Sequence, residues 1–107
     1  MQTELTEEEK QATIAAIDRF KDKDPELQNQ YDVEFVIANF TETRFGDLVD
    51  FLIANGIEHQ KLEQKGSDLF IVINMRLEKE KVITIESYLT YFADKYGFKY
   101  DGWGAFE

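Results

Sequence analysis

Two stretches of this sequence, residues 31–40 and 68–76, carry apolar side chains on both faces of a strand's alternation. In the first, Tyr31, Val33, Phe35 and Ile37 share one face; Asp32, Glu34, Val36, Ala38 and Phe40 share the other, which turns apolar toward its end. In the second, Leu69, Ile71, Ile73 and Met75 share one face and Phe70 and Val72 the other. A strand wetted on one side alternates cleanly, whereas one that is apolar on both sides belongs inside a sheet. Residues 57–65 are also extended in character but polar, with Lys61 and Lys65 suited to guarding an exposed edge. Gly66-Ser67 then makes a tight hairpin connection into the second apolar strand.

The intervening segments have helical spacing. Thr6-Glu7-Glu8-Glu9 forms a capping box with acids in the first turn, and Ile14, Ile17 and Phe20 follow on one stripe. This first helix runs to about Lys21 and stops near Asp24-Pro25, because proline disfavours helix in the residue before it. Its stripe is narrow, which suits a surface helix that could detach. Phe45, Leu48, Val49 and Leu52 mark a second helix, with Thr41 or Thr43 as the candidate cap and Asn55-Gly56 as its stop. After the charged link Glu78-Lys79-Glu80-Lys81, a third carries Ile85, Tyr88, Leu89, Phe92 and Tyr96 and closes at Gly97. Phe98 to Trp103 is a short last strand.

The order is one helix, then βαββαβ. This predicts an α+β, ferredoxin-like fold with an extra N-terminal helix. Its antiparallel-containing four-stranded sheet, in order 4-1-3-2, requires strands one and three to be central, and those are the two most apolar. All 107 residues suit one domain, with residues 1–24 as the N-terminal helix and 31–104 as the core. One sheet face should pack the second and third helices. The other should be partly covered by the first helix or left open.

Composition narrows the chemistry. There is no cysteine, so no disulfide, thiol nucleophile or Cys-ligated zinc can form. A formal charge of −10 repels phosphate and anionic membranes, and attracts a basic protein segment. No apolar run approaches a membrane span, and Met1-Gln2-Thr3-Glu4 lacks the character of a signal peptide, so a cytoplasmic protein is expected. His59 is the only histidine and reads as solvent-facing on the polar strand, with no second ligand for a metal. Ser67 and Ser87 show no spacing that would pair either with it. Glu63 and Asp68 flank the hairpin turn and could face each other, though two exposed carboxylates are the simpler reading. Phe35 and Phe70 occupy the strands on which RNA-recognition modules stack bases, but basic neighbours are lacking and both rings read as core. No catalytic, cofactor or metal site is expected.

Tyr100-Asp101-Gly102-Trp103-Gly104 holds two of the six glycines and the only tryptophan. Two glycines around a large ring imply a special backbone course. The ring either covers the edge of the core or recognises a partner. At this pentapeptide the chain resembles the regulator of ribonuclease E activity B family. The likeness extends upstream through Phe92-Ala93-Asp94-Lys95-Tyr96-Gly97-Phe98-Lys99 and to an acidic amphipathic N-terminal helix. Better-known members continue into a strongly acidic tail, where this sequence has Ala105-Phe106-Glu107.

The resemblance implies a ferredoxin-like, non-catalytic inhibitor that binds ribonuclease E, or a basic region of another protein, away from its chemistry. Tyr100, Asp101, Gly102, Trp103 and Gly104 are then the candidate partner-binding residues. No direct contact with nucleic acid or membrane is expected. The alternatives are a small ligand-binding or enzymatic domain with a carboxylate-lined pocket between the sheet and the N-terminal helix, and self-association through an uncovered sheet face.

Overall fold

The computed structural model describes residues 5–106; residues 1–4 of the expected N-terminal segment, and residue 107, lie outside them. The elements are α1 (Glu7–Phe20), β1 (Gln30–Ala38), a 3-10 turn (Glu42–Arg44), α2 (Phe45–Ala54), β2 (Lys61–Lys65), β3 (Asp68–Arg76), α3 (Lys79–Tyr96) and β4 (Lys99–Phe106). The sheet runs β2-β3-β1-β4, which is the expected order read from its other edge. Every neighbouring pair is antiparallel. The doubly apolar strands β1 and β3 are the central pair.

The core lies on one face of this sheet. Tyr31, Val33, Phe35 and Ile37 of β1 pack there with Leu69, Ile71, Ile73 and Met75 of β3. Leu48 and Leu52 of α2 cover them, together with Val82, Ile85, Leu89 and Phe92 of α3. Each such side chain contributes about 1.5–3 kcal/mol when fully withdrawn from water.

The N-terminal helix takes the same side. Its Ile17 joins this core, and Phe20 meets Tyr31 edge-on with ring centroids 5.2 Å apart. The second sheet face, where α1 was one expected cover, therefore carries no helix. The reason is chemical: Asp32, Glu34, Lys61, Glu63, Asn74 and Arg76 fall on that face by register, and a helix laid over them would strip their water. The capping box of α1 forms as expected, Glu9 N–H donating to Thr6 Oγ1 at 3.1 Å and Thr6 N–H to Glu9 Oε1 at 2.8 Å. Beyond α1, the buried Asp24 carboxylate accepts from the N–H groups of Gln28 (3.1 Å) and Asn29 (2.9 Å), which shapes the link into β1.

Four local expectations change. No threonine side chain caps α2: residues 42–44 wind into a 3-10 turn, so the helix starts after Arg44, which pairs with Asp47 at 3.0 Å. Strand β2 begins only at Lys61, because Ile57 is drawn under the end of α2, its N–H bonding to Leu52 O at 2.9 Å. Phe70 is not core: it faces the helix-free side, half-buried, with the Lys65 ammonium 5.2 Å from its ring centroid. The last strand runs on to Phe106, past the expected stop at Trp103.

Candidate functional site

The course of β4 explains its glycines. Tyr100 lies opposite Ile37 and Trp103 opposite Phe35, so three steps along β4 match two along β1. The extra residue makes a β-bulge, and Gly102 sits there at φ +96°, a conformation that side-chain-bearing residues resist. In a regular strand Tyr100 and Trp103 would point to opposite faces. The bulge turns both onto the core face, under α1 and α3.

There they meet a buried carboxylate. Tyr100 O–H donates to Glu86 Oε2 at 2.6 Å, and Thr13 O–H donates to Glu86 Oε1. Trp103 Nε1–H in turn reaches Thr13 Oγ1 at 3.4 Å. A polar chain thus ties α1, α3 and β4 together. Glu86 is only 5% exposed, and burial pushes its carboxyl above the ordinary range; the Thr13 and Tyr100 hydroxyls pull it partly back, and the Glu9 charge adds to the rise. The Tyr100 phenol is held far above its usual value, first by burial and then by the Glu86 charge, so it stays protonated and donates to Glu86. Among the described residues no lysine, arginine or histidine forms an ion pair with Glu86.

The contacts of Thr13 and Tyr100 with Glu86 hold α1, α3 and β4 against one another. A cleft of about 280 Å³ opens over them, lined by Leu5, Glu9, Ala16, Glu86 and Trp103 among others. The five candidate partner-binding residues divide around the strand. Tyr100 and Trp103 line the cleft, and Gly102 joins them at the bulge. Asp101 is exposed. Gly104 pairs with Glu34 and lies on the far face, where an added Cβ would touch the Phe106 ring at 3.6 Å.

Thr13 and Glu86 were missed from the sequence. Glu86 left a trace: it stands at a core position of α3, within the buried series Val82, Ile85, Leu89, Phe92 and Ala93. An acid in that register signals a buried polar contact.

The other chemistry-bearing residues stay apart. Glu63 lies opposite Phe70 and Asp68 opposite Lys65, so those two carboxylates are not cross-strand partners. Glu63 forms an ion pair with Lys61 at 3.0 Å; hydrogen bonding to that lysine, then its charge, hold the Glu63 carboxyl below its ordinary range. Ser87 Oγ donates to Ile83 O at 3.0 Å, a bond within its own helix. His59 precedes β2 and is partly exposed. Among the described residues no group of three or more His, Cys, Asp or Glu could hold a metal ion. No helix among them is long and apolar enough to cross a membrane.

No curated protein and no solved structure gives a match to this chain. The family described as Regulator of ribonuclease activity B matches residues 10–105, nearly the whole chain. That span takes in Thr13, Glu86, Tyr100 and Trp103, the four side chains of the polar chain, on one continuous match. The chain therefore belongs to the Regulator of ribonuclease activity B family.

Proposed function

We propose that this chain is a non-catalytic inhibitor of a ribonuclease of the ribonuclease E type, acting in the cytoplasm by binding the enzyme protein. The observation that carries the reading is the family match across residues 10–105. Its contact surface is the seam of α1 and β4. Glu7, Glu8, Glu9 and Asp101 are exposed there, and Trp103 lines the cleft beside Glu9. A basic segment of the enzyme satisfies these acids, and the −10 charge of the chain speeds the encounter. Neither a cofactor nor contact with RNA is part of this mechanism.

The test is a cleavage assay with purified ribonuclease E on a defined RNA, with and without the protein, at low and moderate salt. The expected result is dose-dependent inhibition that weakens as salt screens the contact. Glu8→Lys and Asp101→Lys reduce it without loss of fold. Unchanged cleavage, with no complex detected by sedimentation, refutes the proposal.

One observation favours a second reading. The cleft between α1 and β4 holds two carboxylates, Glu9 and Glu86, as a pocket for a small cationic ligand would. Trp103 fluorescence distinguishes the two: saturable quenching by a small cation with no effect on ribonuclease supports the ligand-binding domain.

A further inference from the structure

Helix α2 is too apolar for the burial it receives. Seven of its ten residues are apolar (Phe45, Leu48, Val49, Phe51, Leu52, Ile53 and Ala54), yet only Leu48 and Leu52 are buried. A helix that is apolar over most of its girth normally lies within a core or an interface. Phe51 packs toward α3, with its ring centroid 5.3 Å from that of Phe92 and 6.1 Å from that of Tyr91. On the opposite flank, Phe45, Val49 and Ile53 recur every four residues. Phe45 is 40% exposed and Ile53 69%, two of the three large apolar side chains in the open among the described residues. At 1.5 Å per residue the row is about 12 Å long, roughly two turns.

We infer that the Phe45–Val49–Ile53 flank of α2 docks a positively charged amphipathic helix of a partner protein. A row at four-residue spacing is the ridge that fits the groove of another helix. Charge selects which helix. No lysine or arginine lies within α2. Asp47 is matched by Arg44 at 3.0 Å, while Asp50, next to the ridge, has no ion pair among the described residues. A second copy of the chain is disfavoured as occupant. Packing Val49 on its own counterpart would bring the two Asp50 carboxylates together, and each molecule carries −10. A lysine- or arginine-bearing helix with apolar residues every three or four positions covers the ridge and neutralises Asp50. This surface is separate from the α1–β4 seam and does not depend on the ribonuclease reading.

The test uses a synthetic leucine–lysine peptide patterned as an amphipathic helix, a scrambled peptide of the same composition, and a leucine–glutamate counterpart. Binding is followed by amide chemical shifts of the isotope-labelled protein. The expected result is saturable shifts centred on Phe45, Val49, Asp50 and Ile53 with the first peptide only. Ile53→Asp, or Ile53→Ser should the first variant fold poorly, weakens binding about tenfold or more, as loss of an interface anchor does. Asp50→Asn weakens it less. Shifts centred on β4 or the helix-free sheet face, or equal response to the scrambled or acidic peptide, overturn the inference. So does self-association abolished by Ile53→Asp, which would assign the ridge to a second copy.

Discussion

Gly102 and Gly46 offer a paired test of how the site is built. An added Cβ meets nothing within 4 Å at either position, so steric contact cancels from the comparison. What differs is the backbone. Gly102 holds φ +96° at the bulge, whereas Gly46 lies in α2 without a positive φ. Alanine at 102 must adopt a conformation costing about 2 kcal/mol, the range of left-handed strain in non-glycine residues. Alanine at 46 removes unfolded-state freedom and raises helix propensity, a gain of roughly 0.5–1 kcal/mol near a helix start. The same chemical change should therefore move stability in opposite directions, by about 2.5–3 kcal/mol in total. Urea unfolding followed by Trp103 emission measures both, because the only tryptophan stands beside the bulge. Gly102→Ala should also shift that emission, since strain there loosens the hold on Trp103 and Tyr100. If Gly102→Ala proves neutral or stabilising, the account of the pentapeptide as a face-switching bulge fails.

Four further outcomes follow from the structure. Leu48→Ala should cost about 2–5 kcal/mol as a core cavity, and Ile53→Ala under about 0.5 kcal/mol, because the first side chain is buried and the second exposed; thermal unfolding compares them directly. Trp103→Phe keeps an aromatic ring but trims the indole and removes the 3.4 Å bond to Thr13, so the loss should be about 1–2 kcal/mol by calorimetry with the fold retained. Glu86 has a folded pKa raised above its ordinary 4.5, so the folded state holds that proton more firmly. Its ionisation therefore costs stability as pH rises from 4.5 through the raised value. The difference in urea midpoint between wild type and Glu86→Gln should consequently change across that interval and level off only above the raised value, and a flat difference would contradict the assignment. Tyr100 has the same sign at the alkaline end: the native phenol stays protonated, so wild type should lose stability above pH 10 faster than Tyr100→Phe.

The sheet order was readable in the sequence because it depends on local polarity. Val36, Phe70 and Val72 on the second face of β1 and β3 mark those strands as central, and the lysines of β2 mark an edge. The seam was not readable, because its partners are distant in the chain. Thr13 and Glu86 are separated by 73 positions, and no periodicity reports such a meeting. The stripe of α1 showed that the helix needed a surface, but which surface depended on where Tyr31 and Trp103 would emerge. Helix α2 was ambiguous for another reason. Phe45, Leu48, Val49 and Leu52 share one apolar arc, yet a flat sheet touches only part of so wide an arc. Spacing alone could not separate buried Leu48 from exposed Phe45.

The closure between Thr13 and Trp103 joins positions 90 apart in the chain. During synthesis, α1 emerges long before the strand that anchors it, and β1 waits with one side of its ladder unpaired until β4 is made. Of the two central strands, β1 is thus the last to acquire its second neighbour. Contacts of such range are formed late and make folding slow. A nascent chain halted after α3 would expose Phe35 and Ile37 along an unzipped border, a state open to strand exchange or to capture by chaperones.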